Sequence, residues 1–162
     1  MTYHLRRSEQ AITERKTLLA IIQAQKHLTL ALCRDNKPYL VTMNYGFADP
    51  ANCFYLHCAG EGKKIDYWRE QPVVWGQILD DHGYRAGACD RAYRTVQFKG
   101  RIAFVEEMAE KRHALSLMID QLEPDPEPVK ARLLKPARIA SVTVVRIDID
   151  ALSGKENASL EI

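Results

Sequence analysis

Between Tyr93 and Val105 the chain alternates for longer than anywhere else. Val96, Phe98, Gly100, Ile102 and Phe104 fall on one side, and Thr95, Gln97, Lys99 and Arg101 on the other. A period of two is the signature of a strand with one face buried. Similar runs precede it at His27–Cys33, Pro38–Phe47, Cys53–Ala59 and Val73–Leu79, and one follows at Ile139–Ile149. Most neighbouring runs are separated by short turns: Arg34-Asp35-Asn36-Lys37, with residues that tolerate left-handed backbone, and Ala48–Asn52, with its Asp49-Pro50. Such connections suit antiparallel hairpins rather than right-handed crossovers. The expected fold is mostly β with peripheral α: a small, partly open antiparallel barrel of about six strands with two or three helices.

The helical periods are fewer. Thr13 is positioned to cap Glu14–Lys26, which carries Leu18, Ile21, Ile22 and Gln25 on one stripe. Lys64–Glu70 is long enough for a short helix. Glu106–Leu122 turns Met108, Leu115, Met118, Ile119 and Leu122 inward. Glu123–Pro128 has a proline at every second position and is expected to be an extended connector, followed by a short helix over Val129–Leu134. Residues 1–12, the loop Asp80–Arg91 and the tail from Ser153 read as polar surface segments. There is no internal repeat, and the expectation is a single domain over residues 1–162 with its core in about 5–156.

Length and charge narrow the function. A chain of 162 residues can bury a real core, and its net charge of +2 gives no general reason to bind nucleic acid or a membrane surface. No uninterrupted apolar run approaches spanning length, and Met1–Gln10 lacks a signal-peptide core, so the cytoplasm is the expected compartment. Cys33, Cys53, Cys58 and Cys89 form no Cys-x-x-Cys pair and read as free thiols, and no His/Cys cluster has metal-ligand spacing.

Phe54-Tyr-Leu-His-Cys-Ala-Gly-Glu-Gly-Lys-Lys64 is the stretch with chemistry in it. A strand runs into Gly60 and Gly62, then into two lysines at a helix start. Free backbone N–H groups beside two ammonium groups suit a bound phosphate. A hairpin exit with two solvated lysines is the plainer reading of the same residues. It is not a P-loop, since the glycine spacing and the Ser/Thr after Lys are missing.

Three blocks in order carry a resemblance: Pro38-Tyr-Leu-Val-Thr-Met-Asn-Tyr-Gly46, Phe54 through Asp66, and Gln71-Pro72-Val73. Ala88-Cys-Asp90, Tyr93-Arg-Thr-Val96, Gly100-Arg-Ile-Ala103, Val145-Arg-Ile-Asp-Ile149 and Leu152-Ser-Gly-Lys155 extend it. Over about residues 5–156 the chain resembles the pyridoxamine 5′-phosphate oxidase-like flavin-binding split barrels, and among them the nitroimidazole-reductase-type branch. The resemblance implies a homodimer with two FMN sites at the subunit interface. It implies that Lys63 and Lys64 hold the ribityl phosphate. Val41, Thr42, Met43, Asn44 and Tyr45 would lie along the isoalloxazine ring, with His57, Cys58 and Ala59 beside it, and Tyr93 and Thr95 would contribute from the same region of the dimer. Two departures matter. Gly62-Lys63-Lys64 replaces the Ser-Arg-Lys grip of the oxidases proper, and Asn157–Ile162 lacks their substrate-binding arginines and histidine, which argues against pyridoxamine phosphate as substrate.

The expected function is an FMN-dependent oxidoreductase that passes electrons from a reduced nicotinamide, NADH or NADPH, to a small organic acceptor, with His57 as the catalytic candidate. FAD, a deazaflavin or haem are alternative ligands. A lone strand histidine is also an ordinary core group, and Trp75 and Tyr93 are also ordinary core or interface aromatics. One rival is a flavin- or haem-binding carrier or sensor without turnover. Another is a single-strand nucleic-acid barrel, which the near-neutral charge and lack of an aromatic series argue against.

Overall fold

The structure, a computed structural model, describes residues 6–157. Eight strands form one antiparallel sheet: β1 (Ala11–Ile12), β2 (His27–Arg34), β3 (Lys37–Asn44), β4 (Gly46–Ala48), β5 (Cys53–Cys58), β6 (Val73–Arg85), β7 (Asp90–Val105) and β8 (Thr143–Asn157). The order across the sheet is β3-β2-β6-β7-β8-β5-β4, with β1 added to β8. β3 and β4 therefore lie at opposite ends of the order, yet only Tyr45 separates them in sequence. A sheet whose two ends are one residue apart must curl on itself, and this is what makes it a barrel with a seam.

Tyr45 is the corner. It is fully buried, meets Phe54 edge-on at 5.3 Å and donates its hydroxyl hydrogen to the carbonyl of Ile22. The single strand expected over Pro38–Phe47 is thus broken there, because its first half pairs with β2 and its second with β5. That break and the short β1 account for eight strands rather than six. The Asp35-Asn36 turn has positive φ at both residues, as expected for a tight hairpin.

The core fills the barrel. Phe54, Phe98, Leu30, Ile78, Val96 and Ile147 meet inside it, closed at one end by Leu18, Ile21 and Ile22 of α1 (Arg15–Ala24). The cap of α1 is Glu14, not Thr13, and its side chain accepts no capping bond. Gly76 stands opposite Phe98 in the β6–β7 ladder, and a Cβ there would lie 2.1 Å from the Phe98 ring, so the aromatic occupies the space over the glycine.

Three segments differ from their expected form. Asp80–Arg91 is mostly an extension of the β6–β7 hairpin, because Arg85–Asp90 at 2.6 Å and the Arg91–Asp81 pair hold the two polar strands together without an apolar alternation. Ser153–Asn157 continues β8 along β7 instead of trailing off, and Ile12, expected in a tail, is buried in the core. Residues 1–5 and 158–162 of the expected tails lie outside the described residues.

The helices are α2 (Lys63–Glu70), α3 (Met108–Leu122), α4 (Pro126–Leu133) and α5 (Pro136–Ser141) besides α1. Pro126 and Pro128, expected in a connector, sit in the first turn of α4, where a missing N–H breaks no helical bond. Ile139, expected at the start of the last strand, is the buried anchor of α5. Met108 is exposed, and α3 buries Ala114 and Met118. The inward stripe expected of Leu115, Ile119 and Leu122 is only half-buried, with a consequence for the site below.

Candidate functional site

β4 pairs only with Cys53–Tyr55, so β5 runs on past it and its outer edge is uncovered from Leu56 to Cys58 among the described residues. β3 is likewise an outer strand, paired with β2 alone. Between these two edges lies an open cavity of about 340 Å³. Val41, Thr42, Met43 and Asn44 supply one wall, His57, Cys58 and Ala59 the other, and Lys64 the end. An outer strand presents backbone donors and acceptors at a fixed spacing. This is the hydrogen-bonding complement of a flat heterocycle edged with carbonyls and ring nitrogens.

The side chains of Thr42 and Asn44 are engaged elsewhere. Thr42 shares a 2.9 Å hydrogen bond with the hydroxyl of Thr29, and the Asn44 amide donates to the carbonyl of Lys26. What these residues offer the cavity is therefore mainly backbone. Among the described residues Lys64 is the one cation in the cavity lining, which holds no carboxylate. It stands at the start of α2, which begins from Gly62 at φ 118°, a conformation that favours glycine. The first helical bonds run from the amides of Ile65 and Asp66 to the Gly62 carbonyl, so the amides of Lys63 and Lys64 precede them. One ammonium and two such amides are groups of the kind that hold a phosphate.

Lys63 is turned away. Its ammonium lies over the Tyr39 ring, outside the cavity wall. Tyr45, the barrel corner, is also absent from the wall, because its hydroxyl is used in the core. Tyr93 and Thr95 lie on β7, three strand steps from β3 and so roughly 14 Å away within one chain. Eight of the twelve residues singled out in the sequence thus meet at one cavity and four do not.

His57 lines this depression and is solvent-exposed. Its ring is open to the cavities while protein atoms crowd it from behind, and that desolvation pushes its pKa below the ordinary histidine value. No described residue hydrogen-bonds the ring. It faces pH 7 as a neutral imidazole with one donor and one acceptor. Burial pushes the Cys58 thiol up, against the opposing pull of Lys64, so Cys58 is a protonated filler and not a nucleophile.

His57 also forms part of a second wall. A chamber of about 370 Å³ lies on its other side, roofed by α3, α4 and α5. Sequence reading missed this chamber. The signal it left was the apolar stripe of α3, which looked like core. Among the described residues no group of His, Cys, Asp and Glu has a metal-binding arrangement, and no helix is long and apolar enough to cross a membrane.

Residues 14–156 match the family model described as pyridoxamine 5′-phosphate oxidase. A curated relative, an uncharacterized protein from Rhizobium meliloti, is 30% identical over 91 residues, 56% of this chain and 54% of that protein, so the match spans about half its length. Among solved structures, a candidate 5-nitroimidazole antibiotic resistance protein from Bacteroides thetaiotaomicron superposes with a TM-score of 0.76 at 23% identity, over 90% of this chain and 86% of the other. An FAD-binding protein from Mesorhizobium loti gives 0.64 at 24% identity, over 90% and 96%. A flavocytochrome from Azotobacter vinelandii gives 0.81 at 18% identity, over 99% and 76%. At these identities the likeness is one of fold, and the fold is the split barrel.

Proposed function

The chain belongs to the pyridoxamine 5′-phosphate oxidase family, and from that premise we propose that it is an FMN-binding oxidoreductase that reduces a small organic acceptor. The observation that carries this reading is the meeting of the β3 edge, His57 and Lys64 at one cavity. The uncovered edge of Val41–Asn44 would hydrogen-bond the ring, and Lys64 with the start of α2 would hold the phosphate. A bound flavin supplies the redox chemistry, hydride uptake from NADH or NADPH and two-electron delivery to the acceptor. The share of the protein is to bind, to orient and to move a proton. His57, neutral and unpartnered, is poised to hydrogen-bond the acceptor oxygen and to relay a proton to it.

A second copy of the chain completes the site in this reading. The cavity is open on one side, and the neighbouring outer face of the sheet carries Leu40 and Trp75, 66% and 50% exposed. Ala31 pairs with both, so the three form one row, and Thr29, Thr42, Gln77 and Gln97 form the next. An apolar patch of this kind on a sheet face is what a symmetric dimer buries. Packing two such faces would bring Tyr93 and Thr95 of one copy towards the cavity of the other, which is how residues roughly 14 Å apart in one chain would serve one ring. Four free thiols, two of them exposed, favour the reducing cytoplasm as its compartment.

A haem- or flavin-carrying protein without turnover is the second reading, and the unpartnered ring of His57 favours it, since an axial ligand needs a free nitrogen. The test is the absorption spectrum of purified protein, followed by NADH or NADPH oxidation with a quinone or nitroarene acceptor. A flavin spectrum with acceptor-dependent turnover is expected. A Soret band, or a bound flavin that no nicotinamide reduces, would overturn the oxidoreductase reading.

A further inference from the structure

The chamber beyond His57 shares no lining residue with the first cavity except His57 itself. Met118 and Leu122 of α3, Leu134 after α4, and Val142 before β8 make its walls apolar. The helices around it are incompletely packed. α4 buries no residue at all, and the α3 stripe that should seal a core stops at half-buried. What holds α4 in place is chain stiffness and one ion-pair cluster. Pro124, Pro126 and Pro128 restrict the backbone, and Lys130 bridges Asp120 at 2.6 Å and Glu127 at 3.0 Å. The helix is propped over the space and does not fill it.

The polar groups of the chamber are few. The Ser141 hydroxyl is spent on the Arg138 carbonyl. Glu123 and Arg138 stand exposed in the lining with opposite charges, so the lining carries no net charge. Only His57 brings a hydrogen-bonding group to the wall that the chamber shares with the first cavity. A space of about 370 Å³ with mostly apolar walls and a few polar groups, His57 among them, is of the size and make-up of a small-molecule site.

We propose that this chamber holds the acceptor, and that the acceptor is an uncharged, largely apolar molecule with a carbonyl-type oxygen directed at His57. The proposal deepens the flavin reading above and rests on it for the word acceptor. The binding itself does not depend on flavin. His57 is then the partition between two sites, and a molecule in the chamber meets a ring in the first cavity only across it. The half-burial of Ile119 and Leu122 on α3 is explained too: they line a ligand space.

Two methionines report on the two cavities separately, since Met43 lines the first and Met118 the second. The experiment is methyl-methionine NMR on the wild-type chain, assigned with Met43→Leu and Met118→Leu, with 2-methyl-1,4-naphthoquinone as probe. The quinone should shift Met118 and spare Met43, with and without FMN present. FMN should shift Met43. Leu134→Trp, on a segment with no core role, should weaken quinone binding at least tenfold by calorimetry and leave FMN binding within twofold. Quinone shifts at Met43 alone, at neither methionine, or competition between quinone and FMN would overturn the chamber. FMN that leaves Met43 unmoved while the quinone shifts Met118 would instead sink the flavin reading and leave the chamber as a binding site.

Discussion

The ammonium of Lys63 stands 4.2 Å from the centre of the Tyr39 ring, and its sequence neighbour Lys64 points into the cavity. Two residues that read as one motif therefore divide their work. Lys64→Ala should weaken FMN by roughly 10- to 150-fold, the worth of one charge-assisted hydrogen bond, and leave riboflavin, which has no phosphate, nearly unchanged. Lys63→Ala should lose the contacts with the Tyr39 and Tyr67 rings, about 1 kcal/mol of stability, and bind FMN almost normally. Fluorescence titration of both variants with both flavins checks this; equal losses in the two lysine variants would contradict the division.

His57 gives a pH signature. Its pKa in the fold is pushed below the ordinary value by desolvation. The unfolded chain then binds a proton that the folded chain refuses, so stability tied to His57 is complete above about pH 6.5 and falls away as the pH drops below it. His57→Gln should flatten that part of the stability curve. It should also slow acceptor reduction by roughly 10²–10⁴-fold if the imidazole relays a proton. Urea melts between pH 5 and 8, with turnover measured on the same samples, separate the two effects.

Trp75 tests the assembly. Half of its surface is open in one chain, beside Leu40. Light scattering of the wild type should give a dimer, with an interface of about 1,600 Å² or more. Trp75→Arg should shift it to monomer and reduce FMN affinity together with it, since the cavity would lose its cover. A variant that stays dimeric, or a monomer with full FMN affinity, would count against a shared site.

Gly46 sets the distance between the barrel and the chamber roof. A Cβ there would lie 2.8 Å from the backbone nitrogen of Met118 and 3.1 Å from the carbonyl carbon of Leu117. Gly46→Ala must therefore push α3 outward, at a cost of about 1–3 kcal/mol. Thermal melts should show the loss, and the Met118 methyl resonance should move more than that of Met43.

Much of this was legible in the sequence for a physical reason. Side-chain alternation at Val96–Phe104 and the Asp35-Asn36 turn are local properties, and they led to antiparallel strands and hairpins that the structure contains. Ion pairing across the β6–β7 extension was not legible, because Arg91 and Asp81 are ten residues apart and nothing in their order says that they face each other. The expected site followed the same rule. Contiguous residues, Val41–Asn44 and His57–Ala59, came out together, and those that depended on a side-chain direction or on a distant strand, Lys63, Tyr45, Tyr93 and Thr95, did not.

Pattern and composition alone determined that this chain forms an antiparallel barrel, and they singled out the glycine break before two lysines as a candidate anion site. Only the tertiary structure decided that the barrel closes at Tyr45, which splits one apparent strand in two and leaves a cavity between the outer edges of β3 and β5. It also decided that the apolar stripe of α3 divides, Met118 being buried while Ile119 and Leu122 stay half-buried along the chamber. The reason is the same in both cases. An apolar or aromatic side chain carries the same free energy of leaving water wherever it is buried, so periodicity says which side is hidden and not what hides it.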